Sequence, residues 1–185
     1  MIISTKNIVP AGSRIVIALC LLATSAYGFN PGEVEQTKTT NRCERCDLSG
    51  ADFTKLALND ARLSGAKMAS VKMSGADLFD ANLSGADLSG ADLSQTNLCG
   101  ANLWHANLSD ANLSGSRLSG TTLSGADLTR ANLSGASFVG ADFSGAKLSG
   151  ATWVDGKKCN DGSIGTCKTG PSESEKKTKK EHGSP

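Results

Sequence analysis

Leucine recurs at every fifth position through the middle of this chain. From Cys46 to Asp155 the sequence divides into pentapeptides without an insertion, giving 110 residues or 22 units. Position three is Leu in 16 units, Phe in three (Phe53, Phe138, Phe143), Met in two (Met68, Met73) and Trp in one (Trp153). Position one is Ala in 16 units and otherwise Cys46, Leu56, Val71, Thr96, Ser116 or Thr121. Position two is mostly Asp or Asn, position four mostly Ser, and position five mostly Gly or a charged residue.

An α-helix does not suit this spacing. Five residues turn a helix by about 500°, so successive leucines drift by about 140° and form no apolar face. A glycine in most units would also cost about 1 kcal/mol each relative to Ala. In a strand, positions one and three share a side, but the next Ala lies three residues beyond the Leu and points away. Both stay inward only if the chain turns between units, and the Ser-Gly pairs suit a turn. A short extended segment followed by a turn, repeated, coils the chain around an axis. The crowded axis explains the small residue at position one, and position three fills the core. Stacked coils pair their backbones at about 4.8 Å.

Units such as Ala86-Asp87-Leu88-Ser89-Gly90 and Ala131-Asn132-Leu133-Ser134-Gly135 resemble those of pentapeptide-repeat proteins. The resemblance implies an all-β fold, a right-handed quadrilateral parallel β-helix with four units per coil. Twenty-two units then make about five and a half coils, roughly 26 Å tall. A period of 20 sorts the inward residues into four columns, such as Leu58, Leu78, Leu98, Leu118, Phe138. The large aromatics gather towards the two ends, where a terminal coil has no neighbour and the core must be closed.

Lys6 and Arg14 precede an apolar run, Ile15 to Ala23, that is too short to span a bilayer. Small residues follow, and residues 1–28 are expected to be a signal peptide cleaved after Gly28, or alternatively after Ala26. A lipoprotein reading at Cys20 is disfavoured by the bulky Leu19 before it. The mature chain, with no membrane span, is expected to be periplasmic or secreted. Residues 29–45 read as a polar lead-in and N-terminal cap, 46–155 as the β-helix, and 156–167 as a C-terminal cap loop. Residues 168–185 read as a disordered, Lys-rich tail with almost nothing apolar.

Five cysteines remain after the leader: Cys43, Cys46, Cys99, Cys159 and Cys167. Outside the cytoplasm disulfides are permitted. The repeat register extended backwards turns Cys43 and Cys46 inward, which favours a Cys43–Cys46 disulfide closing the first coil. A Cys-x-x-Cys pair also serves redox or metal chemistry. The first wants a βαβ context that is missing. A four-ligand zinc site would need the other pair, at the far end of the stack. Cys159 and Cys167 flank a turn-rich loop, and a Cys159–Cys167 disulfide would staple the cap after Trp153. The run Trp153-Val154-Asp155-Gly156, Cys159, Gly162-Ser163-Ile164-Gly165, Cys167 resembles the ending of many exported bacterial pentapeptide-repeat proteins. Cys99 is left over at an outward position.

With the core filled, function must lie on the outer walls. Position two runs Asp47, Lys67, Asp87, Asn107, Asp127, Lys147 along one side, an alternation that predicts mutual attraction between coils. The repeat region holds 11 Asp, no Glu and seven Lys+Arg, a net of −4, and the whole chain is near neutral at +1. That balance argues against binding nucleic acid by bulk charge. It also disfavours the role for which the family is best known, protecting DNA gyrase by mimicking the duplex, because lysines interrupt the acidic columns. Four Asn-Leu-Ser triplets match a glycosylation pattern, but the repeat generates them automatically. The mature chain has only His105 and His182, and no nucleophile–base set, metal-ligand spacing or phosphate loop. No enzyme activity and no cofactor are expected. The outward residues that depart from the small polar habit are Phe79, Cys99, Trp104 and His105. They are expected around one corner as a contact patch for a partner protein, or for an envelope polymer or sugar ring stacked on the Trp. Against this stands the ordinary occurrence of single exposed apolar residues. The expected function is an exported repeat scaffold that presents a rigid face.

Overall fold

The computed structural model describes residues 29–169. The expected signal peptide and all but the first two residues of the expected tail lie outside the described residues. Every parallel backbone bridge joins residues 20 apart, from Arg42↔Arg62 to Asn132↔Thr152. Units of five and a period of 20 make a coil of four faces and four corners. Each face pairs through a single position-two residue, so the sheet ladders are one residue wide per coil.

The bonding repeats with the sequence. Asn102 N–H donates to Ala81 O on the coil before it at 2.9 Å, and Asn102 O accepts from Leu83 N–H at 2.8 Å. Each corner closes between positions three and one, as in Ala86 N–H to Leu83 O at 3.0 Å. Position five is left-handed from Gly50 to Gly150, with φ of 64° at Gly85 and 63° at Gly90, which is why glycine dominates there. Where another residue stands at position five, its side chain usually covers a glycine one coil on. Gln95 over Gly115 and His105 over Gly125 are examples, and a Cβ on either glycine would strike the covering side chain.

The core is the stack of positions one and three. Phe53, Met68, Leu78, Leu98 and Leu118 are all buried, with the alanines of position one between them. The three polar residues at position one are buried but paired. Thr96 Oγ1 donates to Met73 O at 3.0 Å, Thr121 Oγ1 to Leu98 O at 2.7 Å, and Ser116 Oγ to Leu113 O at 2.7 Å. Such bonds offset the burial of the hydroxyls.

The all-β expectation needs one correction. The lead-in contains an α-helix, α1, Pro31–Thr40. Asn30 caps it, accepting from Gly32 N–H at 3.0 Å, and Pro31 opens it where no N–H is needed. Asn41, at φ 53°, ends it and returns its N–H to Thr37 O at 3.0 Å. Only Val34 and Thr37 are buried against the first coil, so the helix shows almost no apolar periodicity. The pentapeptide rhythm has not begun there, and capping chemistry decides the conformation instead.

Candidate functional site

The corners build the outer surface. Position-two side chains cap them: Asn102 Oδ1 accepts from Trp104 N–H at 3.0 Å, Asp77 Oδ1 from Phe79 N–H at 3.3 Å, and Asn97 Oδ1 from Cys99 N–H at 3.4 Å. An Asx side chain bonded two residues onward is a turn-forming device. Sequence reasoning took position two as a charged, solvated stripe and missed this role. The preference for Asp or Asn, with Glu never used, was the available signal, because only the shorter side chain reaches its own corner.

Each expected patch residue is therefore a corner residue. Phe79 is 44% exposed and Trp104 is 52% exposed, whereas Cys99 is half-buried. Phe79 and Cys99 stack on successive coils at one corner, where Asp80 N–H donates to Cys99 O at 3.0 Å. Trp104 and His105 occupy the next corner, beyond the face that carries Asn102. The four residues thus divide between two adjacent corners rather than sharing one, because positions four and five are themselves the turn. The rings of Trp104 and His105 meet edge to face, with centroids 4.2 Å apart. His105, at φ 52°, lies over Gly125. Asp80, which the sequence reading left out, lays its carboxylate over Gly100 beside Cys99. Val139, in the column of Phe79 and Cys99, is more exposed still at 82%.

Charge alternation between coils is realised in part. Lys147 pairs with Asp127 at 3.3 Å, and Arg130 reaches Asp110 through two bonds at 2.7 and 2.5 Å. Elsewhere amides replace cations: Asn97 Nδ2 donates to Asp77 at 2.7 Å and Asn107 Nδ2 to Asp87 at 3.0 Å. Arg130, bonded to Asp110, holds that carboxyl below its ordinary range. At Asp142 the Ser124 hydroxyl, with Ser144 behind it, lowers the value to about 2.

The cysteine pairs are disulfides. Cys43–Cys46 closes the first coil beside α1, and Cys159–Cys167 spans the loop beyond Trp153. Glu33, Cys43 and Cys46 bring potential metal-ligand atoms within 4.8 Å of one another. Both sulfurs are spent in the disulfide, however, and Glu33 Oε2 accepts the Asp47 N–H at 2.6 Å. The start of the expected disordered tail is tied down, since Lys168 N–H donates to Ser163 Oγ at 3.2 Å and its O accepts from Asn160 N–H at 2.8 Å.

The family model described as "Pentapeptide repeats" matches residues 46–85, 76–115 and 116–152, together 107 of the 185 residues. The chain belongs to the pentapeptide-repeat family. Its four-faced coil is accordingly the family's right-handed quadrilateral β-helix. Among solved structures it is similar to the pentapeptide repeat protein Rfr23 from the cyanobacterium Cyanothece 51142, at 22% identity and TM-score 0.55, over 66% of this chain and 97% of that one. That likeness shows the fold. It is also similar to trypsin-treated QnrB1, a plasmid-mediated fluoroquinolone resistance protein, at 27% identity and TM-score 0.51, over 60% of this chain and 61% of that one. No curated protein matches the sequence. Pentapeptide-repeat proteins are generally structural or interaction proteins rather than enzymes.

Proposed function

We propose that this protein is an exported, non-enzymatic scaffold that binds a partner protein through its rigid outer wall, with the Trp104 corner as the contact. The observation that carries the reading is the preorganised aromatic. Trp104 is half exposed, its backbone is pinned by Asn102, and its ring rests against His105. A large ring held in place loses little freedom on binding. Phe79 on the neighbouring corner and the half-buried Cys99 extend the surface. The basic and apolar leader read from residues 1–28 and the paired cysteines support placement outside the cytoplasm.

The test is capture of partners from an envelope fraction by wild type and Trp104→Ala. The substitution removes no core contact, so stability should change by less than about 0.5 kcal/mol while capture is lost. Loss of capture together with folding would count against the site. The exposed indole also favours a second reading, a module for a glycan or envelope polymer. In that case soluble glycans should quench a fluorescence component that disappears in Trp104→Ala. The similarity to QnrB1 raises gyrase protection as a third reading, which predicts retention in the cytoplasm and an altered quinolone response. The net of −4 in the repeat, 7 basic against 11 acidic residues, and the lysines within its columns weigh against it.

A further inference from the structure

The C-terminal end of the stack is only half covered. After Trp153 the chain does not coil on. It turns back at Gly156 and crosses two faces in antiparallel pairing, with Thr152↔Lys158 and Lys147↔Ile164. Leu148, Gly150 and Trp153 thereby give their outward N–H groups to Ser163, Cys159 and Lys157 at 2.8, 3.0 and 2.7 Å. The other two faces, residues 136–145, receive no such cover. On every earlier coil the position-three and position-five N–H groups donate to the next coil, as Leu118 does to Ser137 O at 2.6 Å and Gly120 to Val139 O at 3.0 Å. Among the described residues, the N–H groups of Phe138, Gly140, Phe143 and Gly145 have no acceptor, and the carbonyls of Ala136 and Ala141 have no donor. Gly165 passes close to Gly145 and marks where the open edge stops. The side chains show the same gap. Phe138 and Trp153 are half-buried, and their rings pack at 5.1 Å over a core that is otherwise sealed.

From this geometry we infer that residues 136–145 accept a two-unit segment of a partner polypeptide that turns once at the shared corner and carries aliphatic residues five apart. The edge repeats the hydrogen-bonding register that each internal coil offers to its neighbour, so its complement is another polypeptide backbone. An unpaired strand edge is a template for strand addition. The inward side chain of such a segment would land on Phe138 and Phe143. The chain's own tail does not fit, because residues 170–185 contain no Leu, Ile, Val, Met or Phe. The internal coils of a second copy are already engaged in their own stack, and its open ends are the alternative that the concentration dependence tests. This edge lies two coils beyond the Trp104 corner, in whose column Ser144 stands, but it engages through backbone groups rather than the indole, so neither reading stands on the other.

The probe is the decapeptide Ala-Asn-Leu-Ser-Gly-Ala-Asp-Leu-Ser-Gly, added at about millimolar concentration to the full chain, with a scrambled peptide as control. Amide exchange at Phe138, Gly140 and Phe143 should slow by about tenfold or more with the patterned peptide only. Phe138→Pro removes one outward donor at a position where an edge tolerates proline, and should abolish protection at Gly140 and Phe143. If that variant does not fold, the wild-type exchange alone decides. No slowing, or equal slowing by the scrambled peptide, overturns the proposal. So does protection that rises with protein concentration in the absence of peptide, which would put a second copy on the edge.

Discussion

The two ends of the stack solve the same problem in different ways. At the N-terminal end α1 lies across the first coil. Asn30 N–H bonds Asp47 O at 3.2 Å, Asn41 O accepts from Arg62 N–H at 2.8 Å, and the Cys43–Cys46 disulfide sits between. The first aromatic of the repeat, Phe53, is 1% exposed. At the C-terminal end a disulfide-closed loop covers two faces, and three aromatics (Phe138, Phe143, Trp153) share the remaining gap. A helix seals a core by shape because its backbone is satisfied internally. A loop that returns along the edge seals only what it pairs with. The first closes the core, although the N–H groups of Asp52 and Ala57 also lack an acceptor among the described residues, and the second leaves the Phe138 and Trp153 rings part-exposed as well as backbone groups unpaired.

The largest effect should separate two identical substitutions. Phe53→Ala, at the sealed end, should destabilise the protein by about 3–5 kcal/mol in urea unfolding, similar to a mid-stack Leu98→Ala at about 2–5. Phe138→Ala should cost roughly half as much, because its ring is already partly in water. Equal losses would mean that the open edge is covered in solution. The disulfides come next. Loop closure predicts about 2.5 kcal/mol for losing Cys159–Cys167, with its sequence separation of 8, against about 1.6 for Cys43–Cys46, with a separation of 3. Thermal melts of the two Cys→Ser pairs would give that order, and the reverse order would make the helix lid depend on its staple. Glu33→Gln weakens the bond that ties α1 to Asp47 N–H and should cost about 1 kcal/mol, with faster amide exchange at Asp47.

The smallest effect is acid loosening at the C-terminal end. The folded-state value of Asp142 is depressed from 3.8 to about 2, so its contribution is fully present above about pH 4 and is lost as pH falls through 2. Melting temperature should be level above pH 4 and decline below it, less steeply in Asp142→Asn. Asp52, near the opposite end, is also lowered, chiefly by its bonds with Thr54. Exchange near Asp142 should accelerate more than exchange near Asp52 as the solution is acidified.

Much of this was legible because the repeat states its own geometry. Leu at every fifth position, Ala two residues before it and Gly at the corner admit one way of keeping both apolar residues inside. The Cys43–Cys46 pair followed from the same register, and the Cys159–Cys167 pair from the turn-rich loop it flanks. The candidate contact residues could be named too, since Phe79 and Trp104 interrupt a monotonous surface. Their division between two corners could not, because it depends on which positions form the turn. Helix α1 was invisible for a related reason: its single buried aliphatic residue, Val34, leaves no periodic signal.

The amino-acid sequence by itself determined the five-residue unit, the coiling, the core and the residues that turn outward, because each is set by local spacing and repeated 22 times, while four units per coil came from the family resemblance. Only the tertiary structure decided how the stack begins and ends. There a helix and a reversing loop depart from the pentapeptide rhythm, so no repeated pattern records which backbone groups their pairing leaves unmet.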